Sequence, residues 1–264
     1  MPWQPVHVVR HSAANAFADL KAVYTWKTWI FGWLGRMLAQ VTFFVIVGQL
    51  LGRPDQVPFL VIGNSVMTSV IESMMVVASS TWERSLGTLP LLSAAPARLV
   101  WVFFGRSVQW PVSGSGTSLV ALFVLGPLFG VHWTLAEAPA VVVLVLLAAF
   151  GTYCFGLFLA GLVLNIPGFR NIVSNGAYLI MMAICGVQVP LDFWPGWVRA
   201  VAQCLPLTHA LAGVRLVASG GGAAEVVAQA ALTVAIAAVW FAFAYVVFLV
   251  QEIRGRHAGT IHFA

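Results

Sequence analysis

Residues 57–80 read VPFLVIGNSVMTSVIESMMVVASS. These 24 positions pass with a single formal charge, Glu72. A helix crossing a hydrocarbon core of about 30 Å needs about 20 mostly apolar residues, so the stretch predicts a transmembrane helix. Working outward, five further runs share the property: 33–51, 109–130, 138–164, 172–189 and 226–250. The 264 residues as a whole are 61% hydrophobic and 8% charged, with mean hydropathy +0.94. Soluble domains carry roughly a quarter charged residues. That excludes a soluble enzyme, a disordered chain and a DNA-binding module. The sequence predicts an all-α polytopic membrane protein with six transmembrane helices.

Six spans place both termini on one side. With the N-terminus inside, 10 of the 13 Lys and Arg residues are cytoplasmic and only Arg53, Arg199 and Arg215 lie outside. The positive-inside rule then predicts that both termini are cytoplasmic. The first 30 residues lack the compact apolar core and small-residue cleavage site of a signal peptide. Residues 12–30, SAANAFADLKAVYTWKTWI, space Phe17, Leu20, Tyr24 and Ile30 at helical intervals. They predict an N-terminal amphipathic interfacial helix on the cytoplasmic leaflet; the alternative is that they begin one long first helix. The chain divides into 1–32 (tail and interfacial helix), 33–251 (transmembrane domain) and 252–264 (cytoplasmic tail).

Two connections are unusually long. Residues 190–225 are too apolar for a free loop and too broken by Pro190, Pro195 and Pro206 to span. Two short re-entrant helices before span 6, about 197–204 and 208–218, fit best, because irregular backbone at membrane depth must be buried in protein or line a cavity. The cytoplasmic connection contains 81–96, TWERSLGTLPLLSAAP. It reads as a short helix with a charged end, Glu83 and Arg84, and an apolar face. Such an element is either a peg for a soluble partner or a charged turn at the interface.

Polar residues inside the spans are the candidates for a pathway. A carboxylate at membrane depth is costly and faces a bundle interior, a partner or a cavity. Glu72 is therefore either a pathway residue or a hydrogen-bonded packing residue. Asn64 adds polarity near the outer end of the same span. Met67 and Met75 offer flexible thioethers that suit varied apolar molecules or simply fill the core. Tyr153, with Phe155 and Phe158, could form an aromatic platform or pack against lipid. The half-span 113–118, SGSGTS, allows close helix approach and predicts packing against protein. Cys154, Cys185 and Cys204 have no paired spacing, and His132 and His209 have no companion ligands, so no metal site is expected. Lys21 and Lys27 are the only lysines and neither sits in a phosphate-binding loop.

The six-span layout, the interfacial helix and the pattern E-R-x-x-G-T-L-x-x-L-x-x-A-P resemble the membrane subunits of ABC-2 type ATP-binding-cassette exporters. Glu83, Arg84, Gly87, Thr88, Leu89, Leu92, Ala95 and Pro96 carry that match. Pro90 stands where the family often has an acid. Pro206, Leu207 and Arg215 match the family's P-L-x-x-x-x-x-x-x-R segment before the last span, with His209 between them. The resemblance implies a non-enzymatic permease of a bacterial cytoplasmic membrane, acting as a homodimer or with a similar second permease. It would pair with two copies of a nucleotide-binding ATPase subunit and contact no nucleic acid. The coupling helix after span 2 would present Trp82, Glu83, Arg84, Gly87, Thr88 and Leu89 to that ATPase. No cofactor would be bound by this chain; ATP and Mg would sit on the partner. The cargo implied is an amphipathic drug or natural product, linking the chain to antibiotic resistance, or else a lipid-linked polysaccharide.

Overall fold

The computed structural model describes residues 4–23, 25–50, 52, 56–80, 98–164 and 166–258. Among the described residues every regular element is helical. In chain order they are α1 (Gln4–Val23), α2 (Thr28–Leu50), α3 (Val57–Ser80), α4 (Leu99–Phe129), α5 (Ala138–Val163), α6 (Arg170–Ile184), α7 (Gly196–Gln203), α8 (Pro206–Ala218) and α9 (Ala223–Ala258). Five of these, α2, α3, α4, α5 and α9, are long and apolar enough to cross a membrane. The pair α7 and α8 meets at 89° and makes a sixth candidate if taken as one broken span. The all-helical fold thus carries five to six candidate spans, with a sharply bent pair where re-entrant helices were expected.

Several boundaries differ from the sequence reading. The N-terminal helix runs Gln4–Val23 rather than 12–30, and α2 starts at Thr28 rather than near residue 33, so Ile30 belongs to the first long apolar helix. The expected span 172–189 is helical for only 15 residues, about 22 Å at 1.5 Å per residue. Gly186 at φ +83° ends it, a left-handed conformation that glycine adopts without Cβ strain. The third span starts at Leu99 rather than near residue 109. Arg106 interrupts the apolar run there, so hydropathy alone does not mark the early start.

The chain breaks between α1 and α2. Thr25 and Thr28 cap each other across the break: the Thr25 N–H donates to Thr28 Oγ1 at 3.0 Å, and the Thr28 N–H donates to Thr25 Oγ1 at 3.3 Å. These are the free amides that any helix start leaves over. The N-terminal segment is therefore a separate helix, not the start of a longer one. It packs on the first turns of α4, where Gly105 permits the approach: a Cβ there would lie 2.5 Å from Ser12 Cβ and 2.7 Å from the Val9 carbonyl oxygen. Arg106 and Asp19 close the contact with a 3.2 Å ion pair.

The helix α3 is the hub, packed against α2, α4, α5, α6 and α8. Pro58 sits in its first turn, where no N–H is needed. A turn at Met74 interrupts it, and Ser174 of α6 donates to the Met74 carbonyl at 3.0 Å. The helix α4 is interrupted at Val108, four positions after Phe104 and three before Pro111, which has no N–H for Ser107. Tyr153 of α5 fills that notch: its hydroxyl donates to the Phe104 carbonyl at 2.6 Å and lies 2.8 Å from Ser107 Oγ. The start of α5 is fixed by a capping box. The Thr134 N–H donates to Glu137 Oε2 at 2.8 Å and the Glu137 N–H to Thr134 Oγ1 at 3.3 Å. The last helix, α9, touches the rest along a narrow stripe whose buried members are Thr233, Ala244, Phe248 and Glu252, a helical period.

Candidate functional site

A seam of polar side chains runs along α3. Asn64, Ser65, Thr68, Ser69, Glu72 and Ser73 are all buried. Thr68 and Ser69 return their hydroxyls to the carbonyls of Ser65 and Val66, each at 2.7 Å, which removes two of the donors from the interior balance. Asn64 and Glu72 bond across to neighbouring helices, while the buried hydroxyls of Ser65 and Ser73 have no hydrogen-bond partner.

Glu72 lies at the centre of this seam and is only 1% exposed. Thr117 of α4 donates its hydroxyl to Glu72 Oε1. Ser113 of α4 and Trp33 of α2 also turn polar groups toward the carboxyl. Three helices therefore meet on one acid. The close approach depends on Gly114: a Cβ there would stand 2.9 Å from both Glu72 Cβ and the Ser69 carbonyl oxygen. The small-residue half-span packs against protein as expected, since Gly114, Ser115, Thr117 and Ser118 are buried. Ser113 links outward as well, accepting from Trp29 Nε1 at 3.3 Å.

Toward the Val57 end of α3, Asn64 pairs with Gln188. Gln188 Nε2 donates to Asn64 Oδ1 at 2.7 Å, and Asn64 Nδ2 donates to the Leu60 carbonyl at 2.8 Å. One residue earlier, Gly63 lies under the Val187 carbonyl and Arg215 Nη2, with no room for a side chain. Arg215 of α8 places its guanidinium 3.5 Å from the centroid of the Phe59 ring and donates to the Phe59 carbonyl at 3.2 Å. The structure therefore brings Arg215, 151 positions beyond Asn64 in the sequence, against Gly63, the residue next to Asn64.

The remaining expected residues fall into two groups. Met67 is fully buried and Met75 half-buried. Tyr153 has no exposed surface, and its hydroxyl is bound to α4 at Phe104 and Ser107. Phe155 and Phe158 pack on Trp240 of α9, with centroids 4.7 and 5.2 Å away. In the bent pair, Pro206 seats against Gly151 of α5 and Leu207 is fully buried. His209 clamps the bend: Nδ1 lies 3.0 Å from Gln229 Oε1 of α9 and Nε2 lies 3.0 Å from the Gln203 carbonyl. Trp82, Glu83, Arg84, Gly87, Thr88 and Leu89 lie outside the described residues.

Reading the sequence missed Thr117, Gln188 and Ser174. Each is a common polar residue whose partner sits on a distant helix, so no local spacing marks it. A signal for Thr117 was present in the small polar run 113–118, one turn of which faces Glu72. Among the described residues no cluster of three His, Cys, Asp or Glu side chains could hold a metal ion. Cys154, Cys185 and Cys204 are free thiols.

The arrangement is that of a helical membrane bundle with a polar interior seam and two dissimilar ends. At the Ser80 end, α1 lies across the base of α4. At the Val57 end, the bent pair α7–α8 is bolted to α3 through Arg215. No curated protein matches the chain. The family model for the ABC-2 type transporter matches residues 20–218, about three quarters of the chain, from α1 through the bent pair.

Proposed function

The chain belongs to the ABC-2 type transporter family, and from that premise we propose that it is the permease half of an ATP-driven exporter of amphipathic molecules. It is a multi-pass membrane protein and a transport component, and the matched domain carries no ATPase domain. Permeases of this family generally pair with nucleotide-binding ATPase subunits. We infer that two such subunits bind at the Ser80 end of a permease dimer, on the cytoplasmic side of a bacterial inner membrane.

One observation carries this reading. The helix α1 packs on the first turns of α4, at the end of the bundle where α3 closes at Ser80. A soluble ATPase docked there would touch α1 and, in this reading, the charged stretch that joins α3 to α4 in the sequence. Glu83 and Arg84, with Trp82, Gly87, Thr88 and Leu89, would then transmit closure of the ATPase pair as a rigid-body push on α3 and α4. At the opposite end the bent pair caps the bundle. Glu72, held by Thr117 and barely exposed, serves in this reading as the packing centre of the α2–α3–α4 contact.

Two cargo classes remain compatible with the family. A drug-like or natural-product amphiphile is the first. A lipid-linked polysaccharide is the second, favoured by the separate amphipathic α1, while the aromatic residues Phe155 and Phe158 are occupied in packing against α9.

Co-purification with the cognate ATPase and efflux from reconstituted vesicles test the proposal. The double substitution Glu83→Ala, Arg84→Ala is expected to leave the protein in the membrane while ATP hydrolysis no longer drives efflux. Unchanged coupled efflux in that variant, or failure of any ATPase subunit to bind the wild-type chain, would overturn it.

A further inference from the structure

The interruptions in α3 and α4 lie at one level of the bundle. Met74 (φ −70°, ψ −12°) and Val108 (φ −59°, ψ −21°) both leave α-helical ψ for the tighter 3₁₀ turn. The Val77 N–H accordingly bonds the Met74 carbonyl three residues back, at 3.1 Å. In α4, Pro111 has no N–H to offer Ser107. One turn of α5 touches both breaks. Tyr153 holds the Phe104 carbonyl on the near side of the break in α4. Gly156, three residues on, lies against the break in α3: a Cβ there would stand 3.4 Å from Met74 Sδ and 3.6 Å from the Ser73 carbonyl oxygen.

The two sides of this level are built differently. On the Val57 side α3 and α4 are locked together, by the Thr117–Glu72 hydrogen bond and by the close approach at Gly114. On the Ser80 side lie Met75–Ser80 and Leu99–Ser107, the two segments that flank residues 81–97 in the sequence. The helix α1 rides on the second of them, seated at Gly105 and paired through Arg106 and Asp19. That segment meets α9 ring on ring: Phe103 stacks on Phe248 with centroids 5.2 Å apart, and Trp101 lies 5.8 Å from Phe241. Three side-chain hydrogen bonds hold the Ser80 side in its present position. They are Tyr153 to the Phe104 carbonyl at 2.6 Å, Ser174 to the Met74 carbonyl at 3.0 Å, and Trp110 Nε1 to Ser79 Oγ at 3.1 Å.

Short 3₁₀ turns inside longer helices often mark hinges. We infer that α1, Leu99–Ser107 and Met75–Ser80 form a lever that turns as one body about Met74 and Val108. The Tyr153–Gly156 turn of α5 is its fulcrum, and the three hydrogen bonds are its latch. A displacement at the Ser80 end then bends the bundle at this level and leaves the Glu72 contact intact. The lever is a property of the chain itself and rests on neither the ATPase partner nor the cargo. Leu99 lies nine residues from Val108, about 13 Å at 1.5 Å per residue, so a bend of about 20° carries its far end about 5 Å.

Distances between paired spin labels on the full chain in lipid nanodiscs test this. Labelled chains are diluted into unlabelled ones, so that only pairs within one chain are read, and Cys154, Cys185 and Cys204 are replaced by Ala. One pair, at Asn15 and Leu162, joins exposed sites on α1 and on the Val163 end of α5. The other, at Val124 and Val143, joins exposed sites on α4 and α5 beyond the fulcrum. Tyr153→Phe with Ser174→Ala opens the latch and removes little volume. It is expected to shift or broaden the first distance by about 5 Å and to leave the second unchanged. Pro111→Ala returns an N–H to the Ser107 carbonyl and is expected to narrow the first distribution. Both distances changing together, or a first distance indifferent to these variants, would overturn the proposal. Hydrogen exchange on the chain with its cysteines intact gives a second readout. Tyr153→Phe should quicken exchange about fivefold at 105–112 and leave α1 and 113–120 unchanged, because a turning body keeps its own hydrogen bonds. Quickening throughout α1 and 99–112 would show fraying instead of a lever, and would equally overturn it.

Discussion

The helices α3 and α9 are both long apolar spans, yet they occupy opposite environments. In the best 18-residue window of α3 89% of residues are buried, at mean hydropathy 1.6; in that of α9 17% are buried, at mean hydropathy 2.4. The more polar helix is inside and the more apolar one outside. In water the order would be the reverse. In lipid, an apolar side chain gains little by leaving the tails for a protein interior, so helix association rests on close packing and interhelical hydrogen bonds. The α3 helix supplies those with Gly63, Asn64 and Glu72, while α9 supplies mainly Ala, Val and Phe. Burial in this molecule follows polarity and small size rather than hydropathy.

The strongest way to break that contrast is to remove the close approach. Gly114→Leu forces a side chain into Glu72 and the Ser69 backbone. Its cost should reach or exceed the upper end of the usual overpacking range, about 3 kcal/mol. The expected outcome is loss of monodisperse protein on size exclusion in detergent. The matching substitution on the exposed face of α9, Ala235→Leu, should leave the elution unchanged. If Ala235→Leu also disrupts the protein, that face is covered by another chain.

A charge placed on α9 sharpens the comparison from the other side. Val239 is 52% exposed near the middle of the span. Val239→Asp has no donor comparable to Thr117, so it should cost about 2.5–3.5 kcal/mol for insertion. A membrane-insertion assay should show a reduced inserted fraction, although the native span α3 carries an acid without that loss.

Thr117→Val removes the hydroxyl donor to Glu72 and leaves the shape of the contact. Ser113 and Trp33 still face the carboxyl, so the loss should be only about 1 kcal/mol, typical of interhelical hydrogen bonds in bundles. A shift of a few degrees in the detergent melting temperature would register it. No shift would mean that the remaining two groups carry the acid alone.

The smallest effect concerns a carboxylate outside the spans. The backbone N–H of Thr134, and secondarily its hydroxyl, hold Glu137 below its ordinary value of 4.5. The folded form therefore favours the carboxylate. Its capping contribution is full above the unfolded value and is lost as pH falls through the lowered one. Amide exchange in the first turn of α5 should quicken in acid only below about 4.5, with Glu137→Gln abolishing the pH dependence.

Much of the architecture was legible along the chain because the bilayer imposes a length and a composition. Val57–Ser80 and Ala138–Val163 end within a residue or so of the apolar runs that announced them. The bend before the last span was readable from Pro206, and a helix before the first span from the spacing of Phe17 and Leu20, but not its bounds: it runs Gln4–Val23, and Ile30, expected in the same helix, belongs to α2. The short α6 was not, because Gly186 ends it where hydropathy continues unbroken. Nor was the early start of α4 at Leu99, hidden by Arg106, whose charge is met by Asp19 87 positions away.

The same division holds at the site. Composition and hydropathy determined that this is a membrane chain, that its scarce charges matter and that Glu72, alone in its span, faces a bundle interior, a partner or a cavity. Hydropathy and charge are sums over local residues, and the sequence contains them completely. Only the tertiary structure decided that Thr117 is that partner, that Asn64 pairs with Gln188, and that Arg215 locks the bent pair to α3. It also decided which apolar helix faces outward. Those outcomes depend on which helix faces meet, and in a lipid solvent the meeting is chosen by a glycine gap and a hydrogen-bond partner on another helix, neither of which leaves a periodic trace in the chain.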